Sequence, residues 1–132
     1  MKEQFERFLK SAWELEVWEK DKVVFRSKES GVRGLLDFIE EQGRAKKNLI
    51  VFDKVVGRGA AFLVILIKAD TIYGKLGSEL AVQALKKYKI KFYFKETVSN
   101  IMNRDKTGIC PFEQLSLGKT PEEFYKCLID RD

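Results

Sequence analysis

The chain has 132 residues, 45% of them hydrophobic and 34% charged, with a formal net charge of +5 at pH 7. That balance fits a globular protein with its own core and excludes a disordered chain. It has no histidine and only two cysteines, Cys110 and Cys127, which excludes Ser-His and Cys-His catalysis and an ordinary catalytic zinc site.

The longest uninterrupted apolar run, residues 60–67, is far short of the ~20 residues that span a bilayer. The first residues, Met1-Lys2-Glu3-Gln4-Phe5-Glu6-Arg7, are charged and amphipathic and lack the apolar stretch of a signal peptide. The expected location is therefore the cytoplasm, with no membrane contact.

Phe5, Phe8, Leu9 and Ala12 recur at helical spacing, which predicts an amphipathic helix over 2–12. Trp13, Leu15 and Val17 then alternate with Glu14 and Glu16, and the period changes to that of a strand. The polar run Glu19-Lys20-Asp21-Lys22 turns the chain into a second strand, Val23-Val24-Phe25, making a hairpin whose register is open. Ser30 is a candidate N-cap for a helix over about 31–42, whose apolar stripe is Val32, Leu35, Leu36 and Ile39 and whose stop is Gly43. Leu49-Ile50-Val51-Phe52 shows no alternation, as a strand covered on both faces does.

A glycine-flanked turn leads into a helix over about 58–68, too apolar to lie at the surface. Thr71-Ile72-Tyr73 reads as a short strand, and Gly74 and Gly77 as punctuation of the turn after it. Ser78 caps a helix carrying Leu80, Ala81, Ala84, Leu85 and Tyr88. Ile90, Phe92 and Phe94 alternate with Lys91, Tyr93 and Lys95, the pattern of a half-exposed strand near a sheet edge. Val98, Ile101 and Met102 suggest a helical turn, followed by a loop over 103–108. Two helix starts close the chain: Cys110-Pro111, and Thr120-Pro121-Glu122-Glu123 with the form of a capping box.

A hairpin followed by β-α-β-α-β predicts one α/β domain over 1–132. Its five-stranded mixed sheet would carry helices on both faces, a three-layer α-β-α arrangement. In such sheets ligands bind where strand ends meet helix N-termini. The stretch Asp53-Lys54-Val55-Val56-Gly57-Arg58-Gly59 falls at that place. Asp53 is the candidate general base or acceptor there, and Lys54 and Arg58 would hold an anion. Gly57 and Gly59 would let backbone N–H groups approach a phosphate. The pattern is only Gly-x-Gly, with Phe62 where a dinucleotide fingerprint needs glycine, and tight helix packing explains the glycines equally well.

Cys110 at a helix start could be a nucleophile with Glu113 assisting, or an N-cap to whose backbone N–H Glu113 reaches back. Asn103 and Arg104 could bind a carboxylate or phosphate, or pin their own loop to Glu113 or Asp105. Ser78 is better suited to capping than to attack. No metal or cofactor is expected.

The element order is that of the cytidine-deaminase-like fold. The residues Asp53-Lys54-Val55-Val56-Gly57 with Ala60-Ala61, then Ser78, then Asn103-Arg104 and Cys110-Pro111-Phe112-Glu113, carry a likeness over about residues 20–116. On them the chain resembles an uncharacterised prokaryotic family, domain of unknown function 1893. The resemblance implies that fold and no reaction. Two positions depart from the family pattern, Gly59 in place of alanine and Arg58 in place of lysine. Gly59 would loosen the start of its helix by roughly 1 kcal/mol relative to alanine.

Zinc deaminases require His-x-Glu and Pro-Cys-x-x-Cys. On this fold those slots fall near Ser27-Lys28-Glu29 and 53–59, where Glu29 is present but histidine and cysteine are missing. Zinc deamination is therefore excluded.

The leading expectation is a metal-independent protein binding a small anionic or nucleotide-like ligand, with Asp53, Lys54, Gly57, Arg58, Gly59, Ser78, Asn103, Arg104, Cys110 and Glu113 at the site. The alternative is a non-enzymatic module that binds nucleic acid through Lys86, Lys87, Lys89, Lys91 and Lys95 with Tyr88 and Tyr93. Those lysines also suit a solvated face guarding an edge strand.

Overall fold

The computed structural model describes residues 1–29, 31–102 and 108–130. The expected cap Ser30 and the expected site residues Asn103 and Arg104 lie outside the described residues. Eleven elements follow one another: α1 (Lys2–Lys10), β1 (Leu15–Glu19), β2 (Lys22–Ser27), α2 (Val32–Gln42), β3 (Leu49–Val56), α3 (Arg58–Leu66), β4 (Thr71–Ser78), α4 (Glu79–Lys87), β5 (Lys91–Val98), α5 (Pro111–Ser116) and α6 (Pro121–Asp130). The strands form one sheet in the order β2-β1-β3-β4-β5. β1 runs antiparallel to β2 and β3, while β3, β4 and β5 are parallel. The result is an α/β protein with a five-stranded mixed sheet, as expected.

Successive strand residues point to opposite faces, and β3 supplies both. Val51 belongs to the larger core with α2, α3, α4 and α6. Phe52 belongs to a smaller aromatic cluster under α1, with Phe5 and Phe8. The Phe5 and Phe52 rings meet edge to face at 5.3 Å. Fully burying one such ring contributes about 1.5–3 kcal/mol, so α1 is held chiefly by two phenylalanines.

α3 is apolar all round because it is enclosed all round. The sheet lies on one side, and α2, α4, α5 and α6 pack on the others. Its buried residues run from Gly59 through Val64, with Leu66.

Several local expectations hold. Gly43 takes a positive φ of 80° as the C-cap of α2. Ser78 caps α4 by accepting from the Ala81 N–H at 3.0 Å. Thr120 and Glu123 exchange both bonds of a capping box, at 2.8 and 3.2 Å.

Others are corrected. β3 does not stop at Phe52: it runs on through Asp53 and Lys54, because Asp53 is paired across the sheet with Leu15 on one side and Gly74 on the other. β4 does not end at Tyr73, and Gly74 and Gly77 are strand residues, not a turn. The Phe94 ring from β5 explains both glycines, since a Cβ would lie 2.8 Å from it at Gly74 and 2.3 Å at Gly77. No helical turn forms over 98–102: Val98 ends β5, and Met102 bridges antiparallel to Ile109. Gly59 likewise has a packing reason. A methyl there would lie 2.8 Å from the Phe124 ring and 2.9 Å from Val32, so alanine does not fit in this chain.

Candidate functional site

A cleft of about 540 Å³ opens beside the carboxyl end of β3. Its walls are the start of α2 (Gly31, Val32, Arg33), the start of α3 (Gly57, Gly59, Ala60), Ile101 and Met102, and the start of α5 with Cys110. Glu29, Val55, Phe112 and Glu113 complete the lining. The cleft lies at a strand end facing helix N-termini, the place where the sequence reading looks for a site.

Of the expected site residues, Gly57, Gly59, Cys110 and Glu113 line this cleft; Asp53, Lys54, Arg58 and Ser78 are not among its lining residues. Asp53 is fully buried within the sheet. Its Oδ1 accepts from the Val55 N–H at 3.3 Å, and among the described residues its Oδ2 has no partner. Burial holds the Asp53 carboxyl well above its ordinary range, with the nearby Glu14 charge adding to the rise against the lowering by the Val55 N–H. Burial thus favours the protonated form of Asp53 relative to an exposed carboxyl, and its side chain does not line the cleft.

Lys54 points toward α1. Its Nζ donates to the Ser11 carbonyl, sits 5.3 Å from the Phe8 ring and lies 3.9 Å from Glu14. Arg58 turns toward the end of α5, where Nε donates to the Ser116 carbonyl at 3.3 Å and the guanidinium packs 4.6 Å from the Phe62 ring. Neither cation offers its charge to the cleft.

The charge at the start of α3 comes instead from Glu113. This residue is 1% exposed, and every oxygen of its carboxylate is engaged. Oε1 accepts from the Arg58 N–H at 2.9 Å and from the Ser78 hydroxyl at 2.6 Å, and Oε2 accepts from the Ile101 N–H. A helix N-terminus attracts an anion, and at α3 the protein supplies that anion itself. Glu113 does not reach back to Cys110, whose N–H donates instead to the Ile101 carbonyl at 2.8 Å. Ser78 is a cap and a donor to Glu113.

The groups facing the cleft with chemistry to offer are therefore the Cys110 thiol, the Glu29 carboxylate and the Arg33 guanidinium. Among the described residues neither Glu29 nor Arg33 has an ion-pair partner. Sequence reasoning singled out Glu29 only as the remnant of a zinc-deaminase slot, and that comparison was the signal that put it beside the 53–59 stretch. Arg33 gave none, because an exposed arginine on an amphipathic helix looks like any solvated residue. Among the described residues no three His, Cys, Asp or Glu side chains are grouped as a metal site.

Fold and cleft together define an α/β protein with a mixed sheet and a strand-end cavity, in which the start of α3 is closed by an internal carboxylate. The chain belongs to the domain of unknown function family DUF1893, whose model matches residues 6–131. It is similar to a DUF1893 family protein from Thermotoga maritima known from a crystal structure, at 26% identity and a TM-score of 0.89, over 99% of this chain and 88% of that one. No curated protein matches the chain.

Proposed function

We propose that this is a metal-independent protein of cytidine-deaminase-like fold that binds a small anionic or nucleotide-like molecule in the cleft between α2, α3 and α5. The observation that carries the reading is the cleft itself, about 540 Å³ at the carboxyl end of a parallel strand. That volume is within the ~300–1,000 Å³ typical of small-molecule sites. Gly31 at the start of α2 brings no side chain to cap the helix, which leaves first-turn N–H groups beside Arg33 for an anionic group. Val32, Val55, Met102 and Phe112 give the rest of the wall an apolar character suited to a ring. If bound substrate is transformed, the Cys110 thiol and the Glu29 carboxylate are the reacting groups this reading offers. It gives Asp53 no contact with ligand.

The test is a thermal-shift screen of nucleotides, nucleobases and small organic anions on wild type, Arg33→Glu and Asp53→Asn. A ligand at ~100 times its Kd stabilises by about 2.7 kcal/mol, a shift of several degrees for a chain of this size. The expected result is a shift lost in Arg33→Glu and retained in Asp53→Asn. A shift that survives Arg33→Glu and disappears in Asp53→Asn would move the site away from the cleft.

A further inference from the structure

The sheet ends at β5, and along that free edge the chain exposes a run of cations and tyrosines. Lys86, Lys87, Tyr88 and Lys89 are exposed at the end of α4 and in the turn after it, and Lys91, Tyr93 and Lys95 are exposed on the strand. Lys95 pairs with Glu6 at 2.6 Å. Among the described residues the other four lysines have no carboxylate within ion-pair distance. Guarding the edge against strand pairing accounts for Lys91 and Lys95, which lie on the strand. It does not account for Lys86, Lys87 and Lys89, which precede it.

Tyr93 is the more telling residue. It is 51% exposed, yet its ring is held in place: Phe5 meets it edge to face at 6.3 Å and 87°, and Tyr73, its parallel partner in β4, lies 6.2 Å away. A half-exposed aromatic anchored by neighbouring rings is suited to stacking, and it costs little further ordering when a base stacks on it. Lys91 and Lys95 project from the same face of the strand as Tyr93, at the alternate positions. The eight residues of β5 extend about 26 Å at ~3.3 Å per residue, enough for the few nucleotides that a small single-strand site holds.

We propose that the β5 edge binds single-stranded nucleic acid, with phosphates on Lys86, Lys87, Lys89 and Lys91 and a base stacked on Tyr93. The surface is separate from the cleft, and the two readings stand or fall independently. Single strands fit better than duplex because stacking on Tyr93 requires an unpaired base face, which a duplex does not offer.

The test is fluorescence anisotropy with labelled oligothymidylate, oligouridylate and a duplex of equal length. Contacts to four phosphates predict a slope of log K against log salt of about −2.8 for single strands. Tyr93→Ala should weaken binding roughly ten-fold, and the triple variant Lys87→Glu, Lys89→Glu, Lys91→Glu should abolish it at ~50 mM salt. The control triple Lys28→Glu, Lys47→Glu, Lys126→Glu makes the same change in net charge elsewhere on the surface and should leave most of the affinity in place. Equal loss in both triples would reduce the effect to net charge and overturn the proposal. So would indifference to Tyr93→Ala, duplex binding as tight as single-strand binding, or binding only to vesicles of anionic lipid.

Discussion

Two buried carboxyls lie near the end of β3, and the protein treats them in opposite ways. Glu113 is surrounded by donors, and Asp53 is nearly without them. The difference makes each one testable. Glu113→Ala would leave the Arg58 N–H, the Ser78 hydroxyl and the Ile101 N–H without their acceptor. Each buried donor so stranded costs about 1–3 kcal/mol, so the variant should lose about 3 kcal/mol or more in urea unfolding, with Glu113→Gln in between. A loss below ~1 kcal/mol would mean that Glu113 is not the junction its contacts indicate.

For Asp53 the sign runs the other way. Its folded-state pKa is raised above the ordinary value of 3.8, so the folded state holds a proton that the unfolded state releases. Stability is then full below that ordinary value and falls as pH rises toward the folded pKa. Asp53→Asn removes the titration and keeps the shape of the protonated acid. Its melting temperature should match wild type near pH 4 and exceed it at pH 7–8. A variant less stable than wild type at neutral pH would mean that the ionised carboxylate is used, and would return Asp53 to the list of candidate bases.

At the scale of elements, the contact between β4 and β5 is set by a ring lying over two glycines. Gly77→Ala forces a methyl into Phe94, and overpacking of that kind costs about 1–3 kcal/mol. In a Phe94→Val background the same substitution should cost little, because the obstructing ring is gone. A double-mutant cycle reads the coupling directly, and additive costs would show that the close approach is relieved in some other way.

The same pair shows what the sequence could and could not reveal. Capping residues act over three positions, so Ser78 and the Thr120–Glu123 box were legible from local pattern. The all-apolar run of α3 announced its own enclosure. Gly74 and Gly77 read as a turn because the ring they accommodate comes from another strand. Asp53 and Lys54 read as the end of a strand because charge is rare in a central one, and nothing local marked that β3 continues through them, with Asp53 paired on both sides. The position of the cleft was legible from strand and helix order. Which side chains reach it was legible only in part: Cys110 and Glu113 line it as expected, but Lys54 and Arg58 find partners in other elements first.

Across the whole molecule, the two faces of the sheet carry unequal loads. One face supports the larger core with α2, α3 and α4, and the other is covered by α1. That inequality leaves Tyr93 half uncovered beside α1 on the lightly covered face, while the cleft opens at the start of α2, α3 and α5. The chain thus presents two surfaces of different character, a concave one with mixed charge and an elongated one dominated by lysine. No described helix is long and apolar enough to cross a membrane.

The carboxylate of Glu113 also sets an order of events when the chain is made. Synthesis proceeds from the N-terminus, and domains assemble as their parts emerge. All five strands and the helices between them are complete by Val98. The first N–H of α3 nevertheless waits for an acceptor that lies 55 residues further along the chain, and the Ser78 hydroxyl waits for the same group. Before Glu113 emerges, those two donors lack their native acceptor, which the segment after β5 supplies.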